Sequence, residues 1–256
     1  MANENNENNE NNVSSGSNGG KESKYRAELG KYCDHTVLKA YTKREVVEAI
    51  CDEAILYNAA AVCINPCHVA FVKEKLKGTG ILTCTVIGFP LGANTPAVKA
   101  FEAADAVKNG ADELDMVINV GALRDGDADT VFQDIKGVVD AAEGKAVVKV
   151  IIETCYLTAG EIKEASRICR DAGAQYVKTS TGFATRGASL EDLRLIREAV
   201  GDAMKIKASS GILNQAFALE LIGAGASRLG LSTTPQIVTG DGGIASVSAR
   251  NKPPEA

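Results

Sequence analysis

The sequence predicts a single-domain (β/α)8 barrel of the TIM-barrel class, and three observations point there. Eight short apolar runs alternate with segments whose apolar residues recur at three- and four-residue spacing, the mark of amphipathic helices. The runs are nearly continuous in apolar residues, as expected of parallel strands covered by helices. Polar residues gather at the C-terminal ends of most of these runs, where such a barrel carries its active site. An open doubly wound sheet is the alternative. Against it, no G-x-G-x-x-G turn follows the first run, and the polar residues are not confined to one switch point.

The runs, in order, are "YCDHTVL" (32–38), "AAAVCI" (59–64), "ILTCTVIG" (81–88), "ELDMVIN" (113–119), "VVKVIIE" (147–153), "YVKTST" (176–181), "KIKASS" (205–210) and "RLGLST" (228–233). Helical patterns between them include "TKREVVEAICDEAILYN" (42–58), "TPAVKAFEAADAVKNG" (95–110) and "SLEDLRLIREAV" (189–200). Several of these segments end in "NGAD", "AGAQ" or "AGAS", where glycine supplies the left-handed residue that stops a helix before the next strand. Residues 1–22 are Asn, Glu, Ser and Gly with almost no apolar content, and they read as a disordered tail. The barrel is expected over 23–250, with a short C-terminal tail at 251–256.

Composition narrows the function. The chain has 256 residues, 45% of them hydrophobic, enough for one sizeable core. A net charge of −5 without a long basic run argues against a nucleic-acid partner, and no apolar run approaches a membrane span. The N-terminus has no apolar signal region, and seven cysteines without framework spacing read as reduced thiols of a cytoplasmic protein. Cys63, Cys67 and His68 have no second ligand pair, so no metal site is expected.

Six of the eight runs carry polar groups in them or at their ends. These are Asp34 and Thr36; Asp115 and Asn119; Lys149 and Glu153; Lys178, Ser180 and Thr181; Lys207, Ser209 and Ser210; and Ser232 and Thr233. Lys149, Lys178 and Lys207 lie 29 residues apart on three successive runs, so a barrel brings them side by side. Such a set either forms a buried ion-pair network or serves a site. Crowding has a chemical use, because an amine attacks a carbonyl only when unprotonated. Two ammonium groups about 6 Å apart at an effective dielectric of about 20 repel by roughly 3 kcal/mol, or about two pKa units. One of the lysines is then expected to be free enough to form a Schiff base. The glycine-bearing turns "SSGIL" and "GLSTTP" follow the seventh and eighth runs, where backbone N–H groups suit a phosphate.

The segments "CDHTVLKAYT", "AAAVCINP", "TCTVIGFPLG", "ELDMVINVGAL", "KVIIET", "YVKTSTGF" and "KIKASSGI" resemble, in order, the signature segments of the deoxyribose-phosphate aldolase family, from about residue 25 to 240. The resemblance implies a cofactor-free class I lyase that cleaves a sugar phosphate, 2-deoxy-D-ribose 5-phosphate, to glyceraldehyde 3-phosphate and acetaldehyde. It also implies roles for individual residues. Lys178 is the Schiff-base lysine, Lys207 the neighbour that perturbs its pKa, and Asp115 works with Lys207 and a water in proton transfer. The phosphate contacts fall on Gly182, Ser210, Gly211, Gly230, Ser232 and Thr233. Asp34, Thr36, Cys63, Lys149 and Thr181 are expected in the substrate pocket. In some members the residue matching Cys63 is a point of inactivation by aldehydes. A homodimer is the expected assembly.

Three departures stand out. "SSGI" places Ser210 where the family has glycine, which would strain that residue if its φ is positive. Thr233 replaces a serine, and the chain ends "NKPPEA" with no terminal tyrosine. A barrel kept as a scaffold or interaction protein with reduced activity, and a Schiff-base aldolase of different substrate, are the competing readings.

Overall fold

The computed structural model describes residues 28–240 and 245–253. Its eight strands close into a parallel barrel in sequence order, and the last pairs with the first. They are β1 (Cys33–Val37), β2 (Ala61–Ile64), β3 (Leu82–Ile87), β4 (Glu113–Val117), β5 (Val147–Ile151), β6 (Tyr176–Lys178), β7 (Lys205–Ser209) and β8 (Arg228–Leu231). Closure excludes the open sheet. The proposed tail at 1–22 lies outside the described residues, as do 254–256.

Every strand starts within two residues of the apolar run that predicts it, but several runs extend past the observed strand. Thr179–Thr181 shows the reason. The strand β6 ends at Lys178, while the backbone beyond it stays buried and bonded to its neighbours. The Thr179 N–H donates to the Lys207 carbonyl at 3.1 Å, and the Thr154 N–H to the Thr179 carbonyl at 2.9 Å.

The main helices are α1 (Arg44–Leu56), α2 (Val69–Lys75), α3 (Pro96–Lys108), α4 (Val120–Arg124), α5 (Ala128–Ala141), α6 (Ala159–Asp171), α7 (Leu190–Val200), α8 (Gln215–Gly223), α9 (Thr234–Thr239) and α10 (Val247–Arg250). Helices α6 and α7 begin in reciprocal capping boxes, Thr158 with Glu161 and Ser189 with Asp192. Gly110, Gly173 and Gly225 follow their helices with positive φ, as the "NGAD", "AGAQ" and "AGAS" segments predict.

The main core lies between the outward faces of the strands and the helices, and includes Val62, Ile64, Leu114, Val148, Val150, Ile206 and Leu229. Inside the barrel, a smaller apolar cluster of Leu38, Ala61, Cys63, Cys84 and Val86 fills the β1–β3 side. The rest of the interior carries buried charged residues, interspersed with Val117, Ile151 and Tyr176. One outer tie bears on it. Lys99 of α3 is fully buried and donates from Nζ to the Val117 carbonyl at 2.8 Å and to Asp134 of α5 at 2.5 Å. Burial lowers the Lys99 pKa and raises that of Asp134, so the pair is held by its geometry. It fixes the end of β4 two residues beyond Asp115. Gly88 makes room for it, since a Cβ there would meet Lys99 Cε at 2.8 Å.

Residue 251 stands in the expected C-terminal tail, yet it docks on the barrel. Asn251 donates from Nδ2 to the Thr42 hydroxyl at 2.9 Å. Just before it, Glu53 of α1 accepts from the Ser246 hydroxyl and the Val247 N–H, at 2.7 and 2.8 Å, and lies 2.9 Å from His35 Nε2. This anchor carries Ser248 and Asn251 to the edge of the barrel mouth.

Candidate active site

Side chains alternate along a strand, so Asp34, Asp115, Lys149, Lys178, Lys207 and Arg228 all face the barrel interior. Register then decides which of them meet. Asp115 pairs across the ladder with Lys149, and Lys178 with Lys207. Asp115 Oδ2 accepts from Lys178 Nζ at 2.7 Å and from Lys207 Nζ at 2.6 Å, while Lys149 Nζ lies 3.1 Å from Oδ1. Lys149 also donates to Asp34 at 3.1 Å and to Glu113 at 2.5 Å. Lys207 contacts Asp34 as well, and Arg228 closes the network against Asp34 and Glu113.

Four cations, Lys149, Lys178, Lys207 and Arg228, thus face three carboxylates, Asp34, Glu113 and Asp115. The buried network and the site are one object. Burial opposes ionisation of Asp115, but Lys149, Lys178 and Lys207 outweigh it and hold its carboxyl well below the usual range. Asp34 is held below its usual value in the same way by Lys149, Lys207 and Arg228. Lys207 is raised above the ordinary lysine range, because Asp115 and Asp34 more than offset its burial. The direct repulsion between two bare ammonium groups that the sequence suggests is therefore modified: Asp115 stands between Lys178 and Lys207.

Above this layer opens a cavity of about 350 Å³. Lys178, Thr36 and Thr181 line it. All six residues expected at the phosphate, Gly182, Ser210, Gly211, Gly230, Ser232 and Thr233, line it too. Asp34, Cys63 and Lys149, expected on the pocket wall, instead lie below it with no exposed surface. Spacing along a strand gives the face of a residue but not its depth, and these three occupy deeper inward positions. Ser210 has φ 68°, so the serine does sit in the left-handed conformation that its glycine-like position suggests. The Thr233 hydroxyl donates to the Ile212 carbonyl at 2.8 Å, tying the two turns together.

Sequence reasoning passed over several members of the site. Glu113 and Arg228 lie two residues before Asp115 and Gly230, so a period of two along each strand would have turned them inward. Cys84 pairs across the ladder with Cys63, and its thiol lies 3.3 Å from Asp115 Oδ1. A hydrogen bond with Cys84 lowers the Cys63 pKa against its burial, while burial pushes Cys84 well up. Cys63, Cys84 and Asp115 converge closely enough to hold a metal ion. However, Lys149 Nζ already lies 3.4 Å from Cys84 and 3.1 Å from Asp115, so a cation there would meet an ammonium group. Glu153 was noted only as a polar strand end. It has φ 52°, and it accepts from the Thr181 N–H at 3.2 Å and from the Thr181 hydroxyl. Burial raises its pKa against those bonds.

Comparison with known proteins agrees in fold and sequence. The description of the DeoC/LacD family aldolases matches residues 29–233. The deoxyribose-phosphate aldolase of Enterococcus faecalis is 58% identical over 213 residues, covering 83% of this chain and 97% of that protein. The enzyme of the same name from Clostridium tetani is 53% identical over 211 residues, covering 82% and 98%. Among solved structures, an aldolase designated QR15 superposes with a TM-score of 0.79 at 40% identity, over 83% of this chain and 95% of that one. The tetrameric deoxyribose phosphate aldolase from Aeropyrum pernix superposes with a TM-score of 0.78 at 30% identity, over 86% and 94%.

Proposed function

The chain belongs to the DeoC/LacD family of aldolases, and from that premise we propose that it cleaves 2-deoxy-D-ribose 5-phosphate reversibly to D-glyceraldehyde 3-phosphate and acetaldehyde, in deoxyribose phosphate catabolism. The observation that carries the reading is the position of Lys178. Its amine reaches the floor of an open pocket while sharing one carboxylate oxygen with Lys207.

The chemistry follows from that position. The Lys178 amine adds to the aldehyde carbon of the open-chain sugar, and loss of water leaves an iminium. Removal of the C3 hydroxyl proton breaks the bond between C2 and C3, and its electron pair flows into the iminium. The three-carbon aldehyde phosphate departs and an enamine remains. Protonation of the enamine carbon and hydrolysis release acetaldehyde and restore the amine. Asp115 is held ionised, so its part is to orient the Lys178 and Lys207 amines on Oδ2 while Lys207 and water carry the protons. Lys178 stands at the open end of the layer, with Asp115 as its carboxylate contact among the described residues.

Gly182, Ser210, Gly211, Gly230, Ser232 and Thr233 are proposed to hold the phosphate, and Thr36 and Thr181 to flank the sugar. All seven cysteines are unpaired, which supports a reducing, cytoplasmic setting. No helix among the described residues is long and apolar enough to cross a membrane. Assembly as a homodimer belongs to the same proposal, since Val98 and Phe101 leave exposed apolar surface on α3 that self-association would cover. An acetaldehyde-release assay on deoxyribose 5-phosphate tests the reaction, and sedimentation tests the assembly. No acetaldehyde from the purified protein would reject the reading.

A further inference from the structure

On the reading just proposed, the pocket takes a dianion at the end away from Lys178, and we infer that Lys39 is the cation that receives it and sets the preference for phosphorylated over unphosphorylated sugars. Among the described residues that line the pocket, Lys39 and Lys178 are the charged side chains, and no carboxylate lines it. The turns around Ser210–Gly211 and Ser232–Thr233 offer neutral donors only. Two exposed side chains beside them on the pocket lining, Phe183 and Leu213, are apolar. The pocket is thus electrically asymmetric: an amine below for the carbonyl carbon, and one exposed ammonium above for the phosphate.

Lys39 is aimed rather than free. Its Nζ lies 4.6 Å from the centroid of the Phe183 ring, which stacks edge-on against Phe89 with centroids 5.3 Å apart. Its backbone is held from two sides. The Lys39 carbonyl accepts from the Thr42 N–H at 3.0 Å and from the Thr42 hydroxyl at 2.6 Å. Asn251 Nδ2 then donates to that hydroxyl. The backbone of Lys39 is thereby fixed, and the Phe183 ring gives its ammonium a resting place beside the pocket.

The test compares wild type with Lys39→Gln and Lys39→Arg on deoxyribose 5-phosphate and on deoxyribose, with inorganic phosphate as competitor. Loss of a charge-assisted contact to the phosphate should raise KM for the sugar phosphate roughly ten- to a hundredfold in Lys39→Gln. The ratio of kcat/KM between the two sugars should fall by the same factor, and so should the inhibition by inorganic phosphate. Lys39→Arg should restore most of both. An equal loss on the two sugars would make Lys39 a structural residue, and an unchanged phosphate inhibition constant would remove it from the phosphate; either result overturns the inference. Wild-type turnover keeps the two readings apart. If wild type releases no acetaldehyde, the reaction proposed above fails, while calorimetric binding of inorganic phosphate to wild type and Lys39→Gln still decides the role of Lys39.

Discussion

Lys178 and Lys207 face each other across the β6–β7 ladder, and both ammonium groups rest on one atom, Oδ2 of Asp115, at 2.7 and 2.6 Å. One oxygen that accepts from two lysines couples their charges. Lys207 is bound more firmly, because Asp34 also holds it and its pKa stands above the usual range. Among the described residues Lys178 is paired with Asp115 alone, and it opens to the pocket.

Borohydride reduction in the presence of acetaldehyde should therefore fix one ethyl group on the protein, and peptide mapping should place it at Lys178. Lys178→Ala and Lys178→Arg should each lower turnover by several orders of magnitude, since arginine keeps the charge but forms no imine. A label on Lys149 or Lys207 would reassign the nucleophile.

Lys207→Leu leaves the nucleophile in place and gives Asp115 Oδ2 to Lys178 alone. Turnover should fall at least about a hundredfold, a general acid–base contribution. The pH–rate profile should change shape, because the cation that shares that oxygen, and whose pKa stands above the usual range, is gone. A pH–rate profile parallel to that of wild type would show that Lys207 does not act through the shared carboxylate.

The charged layer also predicts how stability responds to acid. Asp34 and Asp115 have folded pKa values depressed below 3.8, so their contribution is present above the ordinary carboxylate range and is lost as pH falls through the depressed values. Melting temperature should be steady near neutrality and drop below about pH 4. Asp34→Asn leaves Lys149, Lys207 and Arg228 short of one buried carboxylate and should cost about 3–5 kcal/mol at pH 7, with a shallower acid limb. Chemical denaturation of both proteins at pH 7 and pH 3.5 measures the difference.

These contacts mark the limit of what the sequence discloses. The alternation of runs and helices locates all eight strands, and the 29-residue spacing of Lys149, Lys178 and Lys207 turns them into one space. Register is not written in either pattern. Which carboxylate lies between which lysines follows from strand pairing, such as Asp115 opposite Lys149. Glu113 and Arg228 were hidden at strand starts, where a charge reads equally well as a solvated end. Lys39 sits in a loop, and only the closed barrel brings it to Phe183.

Glu153 is a test of that hidden layer. Its carboxyl joins the end of β5 to Thr181, three residues beyond Lys178, from a left-handed backbone position. Glu153→Ala should cost roughly 1–3 kcal/mol of stability and lower kcat/KM, because Thr181 loses its acceptor. Glu153→Gln keeps a carbonyl oxygen for the Thr181 N–H and should lose less. Equal losses in the two variants, measured by melting and by steady-state kinetics, would mean that the charge rather than the hydrogen bonds matters.

Ser210→Gly separates strain from contact in the proposed phosphate turn. Ser210 holds φ 68° while its N–H donates to the Gly230 carbonyl at 3.0 Å, so the turn is fixed by its neighbours and the serine conforms to it. A left-handed residue with a Cβ costs about 1–2 kcal/mol, which glycine avoids, although glycine also makes the unfolded chain more flexible. The two effects oppose each other, and stability should rise by about 1 kcal/mol at most. The kinetic outcome is sharper. The Ser210 hydroxyl lies 3.5 Å from where a Cβ on Gly182 would stand, so it faces Gly182 across the proposed phosphate site without crowding it. Removing it should leave KM for deoxyribose 5-phosphate equal or lower. A KM that instead rises several-fold, with stability unchanged or improved, would show that this hydroxyl donates to the phosphate, and that the serine is a contact the chain gains in exchange for its strained backbone.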